Sequence, residues 1–214
     1  MALTDEPVRG PEDLFVFWCY RTAMWPWGHA ALGYLLYAVY VQLRTRDRPT
    51  GRGVIALLFG TQTPDLVDKP LAWYLDVLEY GRSMAHSVLT GGLILLAVVW
   101  YLRRRGHRTM ATAFAVGYLS HLVGDSYTFV LAGTYEHLAF LVWPLLPIPG
   151  ADTEVEGLFP HLARLDASVV YSEGVILTAV AFLLWLLQGA PGLLTALRWL
   201  ERATGTRESE EPAD

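Results

Sequence analysis

Cysteine is nearly absent: Cys19 is the single one among 214 residues, which excludes an intrachain disulfide and any cysteine-built zinc site. Basic residues are in deficit, with 16 Lys and Arg against 21 Asp and Glu and a formal net charge of −5. A nucleic-acid binder would show the opposite balance. Internal repeats are lacking too. The opening MALTDEPVRGPEDLFVFWCY is acidic, carries two prolines and has only a short apolar run, which is not the build of a cleaved signal peptide. The closing ERATGTRESEEPAD is polar and reads as a disordered tail.

Apolar residues are abundant instead. They make up 53% of the chain against 17% charged, with a mean hydropathy of +0.32, the composition of a multi-spanning membrane protein. Four runs have the length and apolarity of membrane helices: 28–44, 86–102, 110–132 and 171–188. A fifth, GVIALLFGTQTPDLVDKPLAWYL, is interrupted by Gly60, Thr61, Thr63, Pro64 and Pro70. It predicts a half-helix, an irregular stretch, and a short second helix over about 70–80. Residues 138–149 are too short and proline-rich to span, and predict an interfacial or re-entrant piece. The expected fold is an all-α polytopic membrane helix bundle of about five transmembrane segments, one of them broken. It divides into an N-terminal extracytoplasmic segment 1–24, a membrane-embedded helical domain 25–190, an amphipathic surface helix 191–203 opened by Pro191, and the tail 204–214.

Arginines set the orientation. Arg44, Arg46, Arg48 and Arg52 crowd one connection; Arg103, Arg104, Arg105 and Arg108 crowd another; Arg198, Arg202 and Arg207 follow the last span. The positive-inside rule assigns these to the cytoplasm and the N-terminus to the outside of the cell membrane. Trp25, Trp27, Trp73, Tyr74 and Trp143 then join the outer aromatic belt.

In that topology His29, Asp65, Asp68, His86, His121 and Asp125 all fall on the outer side. Unrelated polar residues would scatter over both leaflets, so a shared cavity opening outward is the simpler account. His121 and Asp125 are at i and i+4 and point from one helix face. Placing such a pair in hydrocarbon costs several kcal/mol unless something offsets it. Imidazole with carboxylate is the ordinary ligand set of zinc and related divalent metals. Arg82, just ahead of His86 in GRSMAHS, offers a fixed cation for an anionic substrate. Plainer readings stand beside these. His29 and His86 each suit an interfacial helix start, Asp65 suits a turn after Pro64, and His121 with Asp125 suits a structural pair between helices. His107 reads as solvated, and Glu136, His137, Asp152, Glu154, Glu156 and His161 as outer-loop polarity.

The series WPWGHAALGYLLY, GTQTPDLVDKP, RSMAHSVL, GYLSHLVGDSYT and LVWPL resembles the membrane-bound metal-dependent hydrolases of prokaryotic inner membranes. The resemblance covers residues 25–148 and the closing span, and implies motif positions at His29, Asp65, Asp68, His86, His121 and Asp125. HLVGD also looks like the HxxxD helix motif of the zinc-dependent phospholipase C and P1 nuclease group, all-helical phosphoesterases with a three-zinc cluster. Their second motif, HxxxE, has no counterpart: His137 is followed at that spacing by Leu141, and His161 by Leu165. No N-terminal Trp ligand is evident either. The resemblance therefore implies one or two ions.

Together these readings give an integral-membrane metal-dependent hydrolase of a phosphoester or lipid-derived ester at the outer leaflet, with a small-molecule or lipid substrate and no nucleic acid. His29, Asp65, His86, His121 and Asp125 are the expected ligands of a divalent metal, zinc by donor type. Asp68 is the expected general base or second ligand, and Arg82 the anion clamp. Two rivals use the same residues: a small ion-coupled transporter, and a non-catalytic scaffold with a structural metal.

Overall fold

A computed structural model describes residues 24–149 and 173–204. The expectations for the N-terminal segment, for Asp152, Glu154, Glu156 and His161, and for the tail after Thr204 lie outside the described residues.

The described residues are all helical, with no strand among them. In chain order they form α1 (Pro26–Thr45), α2 (Gly51–Trp73), α3 (Thr90–Arg104), α4 (Arg108–Ala132), a 3-10 turn (Tyr135–Val142), α5 (Glu173–Leu187) and α6 (Leu193–Thr204). Pro26 opens α1 at a position where its missing N–H costs nothing. The Thr50 hydroxyl caps α2 by accepting from Gly53 N at 3.2 Å. Gly133, at φ 71°, ends α4 in the left-handed conformation that glycine tolerates best.

The expected break in the second segment is absent: α2 runs unbroken through Pro64 and Pro70. An interior proline ordinarily costs about 3 kcal/mol. Here the Thr63 and Thr61 hydroxyls donate to the Phe59 and Leu58 carbonyls at 2.6 and 2.8 Å, covering backbone in the turn ahead of Pro64. The expected second helix over 70–80 is also absent, since α2 ends at Trp73. The run expected as a helix from His86 begins only at Thr90, and His86 sits in an irregular stretch before it. Ser87 Oγ accepts from Leu89 N and Thr90 N, so the hydroxyl closes that stretch and starts α3.

Among the described residues, no helix is long and apolar enough to cross a membrane. Both α3 and α5 have 15 residues, about 22 Å against a hydrocarbon core of about 30 Å. The longer α1, α2 and α4 carry the polar residues that lower their mean hydropathy.

The bundle is organised around α2 and α4, its most extensive helix pair. They run parallel and touch backbone to backbone. A Cβ on Gly60 would collide with the Phe114 carbonyl, and one on Gly117 with the Leu57 carbonyl. α1 crosses both in the opposite direction, with Gly53 against Tyr37 and Gly33 against Thr61 and Ser120. The chain alternation puts the start of α1, the ends of α2 and α4, and the stretch before α3 at one end of the bundle. The arginine-rich connections lie at the other, where α6 rests through Thr195 on Gly51.

Candidate metal centre

Three imidazoles and three carboxylates meet at the first of those ends. His29 comes from the first turns of α1, Asp65 and Asp68 from the last turns of α2, His86 from the stretch before α3, and His121 and Asp125 from α4. His29, Asp68, His86, His121 and Asp125 are buried.

Each of two imidazoles is held by its outer nitrogen. His121 Nδ1 lies 2.6 Å from the Thr61 carbonyl oxygen, which can only accept, so Nδ1 carries the proton. In the neutral ring Nε2 then bears a lone pair. The contact depends on Gly60 and Gly117, which let α4 approach α2 closely enough for a side chain to reach the main chain. His86 Nδ1 lies 2.8 Å from Asp68 Oδ2. By the same logic its Nε2 also presents a lone pair.

Asp68 does more than hold that ring. Its carboxylate accepts from Ser83 N at 2.9 Å, Ala85 N at 2.8 Å and His86 N at 3.2 Å. All these donors lie on the 83–86 turn, which Tyr118 of α4 secures from the other side by donating to the Ala85 carbonyl at 2.5 Å. Asp68 is therefore turned toward this turn and the outer nitrogen of His86, not toward the Nε2 atoms. That geometry is an anchor's, and differs from the general base or second ligand that the sequence suggested.

The inward atoms converge. His86 Nε2 and His121 Nε2 are 3.1 Å apart. Asp125 Oδ2 stands 3.2 Å from the first and 3.3 Å from the second. Asp65 Oδ1 stands 3.5 and 3.8 Å from the same two atoms. Four donors at about 2.0–2.2 Å from a central ion have tetrahedral edges of about 3.3–3.6 Å, so these separations suit a zinc-type shell. The buried Asp125 Oδ2 accepts no hydrogen bond, although two imidazole nitrogens stand beside it. That is the expected state of a carboxylate oxygen facing lone pairs in place of N–H groups. His29 stacks on His121, ring centroids 4.0 Å apart, and its Nε2 is 3.5 Å from Asp125 Oδ1. Two groups, His29–His121–Asp125 and Asp65–His86–His121, could each hold a metal ion, and they share His121.

The rim is cationic. Arg82 Nε lies 3.6 Å from Asp125 Oδ2, and Lys69 Nζ lies 2.7 Å from Asp65 Oδ2. Their side chains are 21% and 24% exposed and Asp65 is 11% exposed, against 2% or less for the rest of the cluster, so access runs past these three. Phe140 of the 3-10 turn sets its ring edge-on to His86 and closes the cluster on that side. This turn is tied to the 83–90 stretch by Val88 N donating to the Leu141 carbonyl and Ser87 Oγ to the Trp143 carbonyl.

Sequence reasoning missed four participants. Lys69 is at i+4 from Asp65, a spacing that signals an ion pair. Tyr118 lies three residues before His121 on the same helix face. Thr61 acts through its carbonyl, and Phe140 through a ring edge; neither role leaves a mark in side-chain pattern.

A family model described as YdjM inner membrane protein matches residues 24–198. No curated protein and no solved structure matches the chain.

Proposed function

The chain belongs to the YdjM inner membrane protein family, and from that premise we propose that it is a membrane-embedded, metal-dependent hydrolase of a phosphoester or lipid-derived ester at the outer leaflet. The observation that carries the metal reading is the facing pair of Nε2 atoms, His86 and His121 at 3.1 Å, each with its Nδ1 committed to an acceptor. Two lone pairs at that distance repel unless a cation lies between them. Second-partner acceptors of this kind are a regular feature of metal-bound histidine. Asp125 and Asp65 complete the donor set, and His29 supports Asp125 or joins a second ion. The set contains nitrogen and oxygen and no sulfur, which suits zinc.

A divalent ion held there would lower the pKa of bound water toward about 7 and polarise the scissile group. The protein's own residues do the rest. Asp68 fixes the tautomer and aim of His86, Arg82 holds an anionic group beside the cluster, and Phe140 keeps bulk water from one side.

Membrane embedding is supported by the family and by the outer surface. Leu36, Val39 and Leu43 of α1, Phe59 and Leu66 of α2, and Leu93, Leu96 and Trp100 of α3 are exposed. α4 and α5 expose further apolar residues, far more than a soluble monomer leaves to water. Hydropathy along a single helix also counts the His, Asp, Ser and Thr that face inward, which lipid would not meet. With the arginine connections inside by the positive-inside rule, the site opens extracytoplasmically. The transporter reading leaned on a discontinuous helix, and the unbroken α2 removes that support.

The test is hydrolysis of a phosphodiester and of phospholipid by detergent-purified protein. Turnover is expected to stop on chelation, return with zinc, and be lost in His121→Ala. Tight metal binding that raises the melting temperature without any turnover would make the centre structural and refute the hydrolase.

A further inference from the structure

Lys69 is the only lysine in the chain, and it stands at the rim of the metal centre, bonded to Asp65 and over the Trp73 ring at 5.6 Å. Arg82 has the matching position on Asp125. Each rim cation is thus held by a carboxylate that also faces the imidazole Nε2 atoms: Asp65 Oδ1 is 3.5 Å and Asp125 Oδ2 3.2 Å from His86 Nε2. The same two carboxylates serve two sets of partners, and both sets cannot be fully served at once.

Charge decides which set prevails. With neutral imidazoles, Asp65, Asp68 and Asp125 against Lys69 and Arg82 leave one negative charge. One divalent ion reverses this to one positive charge. An ion drawn onto Asp65 and Asp125 also weakens their hold on Lys69 and Arg82, because a carboxylate that shares its charge with a metal attracts a neighbouring cation less. In a half-buried rim an excess positive charge needs a counter-charge. A singly charged anion matches it.

We infer that Lys69 and Arg82 are the two jaws of a receptor for a phosphodiester monoanion, and that the jaws are released to that anion only when a divalent ion has taken Asp65 and Asp125. This rests on the metal-dependent hydrolase proposed for the site, and adds the substrate's charge class, the role of Lys69 and the order of binding. Arg82 supplies planar donors to phosphate oxygens, and Lys69 acts as a movable point charge.

The test is calorimetric titration of full-length protein in detergent with dimethyl phosphate, before and after zinc loading, with zinc content measured on the same samples. Saturable binding is expected only in the zinc-loaded protein. Lys69→Met should weaken it about tenfold, some 1.4 kcal/mol, at unchanged zinc content, and Lys69→Arg should largely restore it. Equal binding with and without zinc, or a zinc-loaded Lys69→Met protein that binds like wild type, overturns the inference. So does a Lys69→Met protein that loses its zinc, because Lys69 would then be a counter-ion of Asp65 only. Failure of the wild type to take up zinc at all would instead strike the metal centre itself.

Discussion

His86 Nε2 faces His121 Nε2 at 3.1 Å, and the opposite nitrogen of each ring is already engaged, His86 with Asp68 and His121 with the Thr61 carbonyl. Two buried imidazoles held by acceptors on their outer sides have only lone pairs to offer each other. This relationship makes the centre more than a collection of polar residues. It also separates the residues that hold the cluster's shape from those that face its interior.

Asp68 belongs to the first group. Asp68→Asn should keep the protein folded and lower zinc affinity about 10- to 100-fold, as loss of an orienting partner does. Asp68→Ala should also cost more than about 3 kcal/mol, because the Ser83, Ala85 and His86 N–H groups lose a buried acceptor together. Chelator competition and thermal melting separate the two effects.

Tyr118→Phe provides the contrast. It removes one hydrogen bond to the Ala85 carbonyl and leaves every inward-facing atom in place. A stability loss of about 0.5–1.5 kcal/mol with unchanged zinc stoichiometry is expected. Loss of zinc in this variant would mean that the 83–86 turn is less well held by Asp68 than the geometry implies.

Gly117→Ala should damage the site from a distance. The added Cβ would meet the Leu57 carbonyl and stand 2.9 Å from Thr61 N, pushing α4 from α2. A cost of about 1–3 kcal/mol is expected from overpacking, with zinc affinity falling as His121 withdraws from Thr61. By contrast, Gly92→Ala meets nothing within 4 Å and should be silent in both melting and zinc titration.

Topology can be read with single cysteines placed in a Cys19→Ser background. Asp47→Cys and His107→Cys, both at exposed positions of the arginine-rich end, should react with a membrane-impermeant reagent only after the cells are opened. Glu79→Cys, exposed at the site end, should react in intact cells. The reverse pattern would turn the site to the cytoplasm.

Much of the helical layout could be read from the sequence, since α1, α4 and α5 follow apolar runs closely. That His29, Asp65, Asp68, His86, His121 and Asp125 share one end was also legible, because arginine placement fixes which way each helix runs. The continuity of α2 was hidden: Pro64 and Pro70 signal a break, and only the back-bonding of Thr61 and Thr63 shows how the helix is kept. The late start of α3 was hidden as well, because Asp68 claims the N–H groups of Ser83, Ala85 and His86 from far along the chain. Apolarity cannot report that. Nor could spacing alone tell Asp65, which faces the Nε2 atoms, from Asp68, which faces away from them.

The central claim is tested most directly by zinc K-edge X-ray absorption on protein purified in detergent and loaded with zinc. The account predicts about four nitrogen and oxygen neighbours at about 2.0–2.1 Å, outer-shell scattering from at least two imidazoles, and no sulfur. The imidazole signal should diminish in His86→Ala and in His121→Ala. A protein that retains no zinc, or a spectrum unchanged by both substitutions, would contradict it.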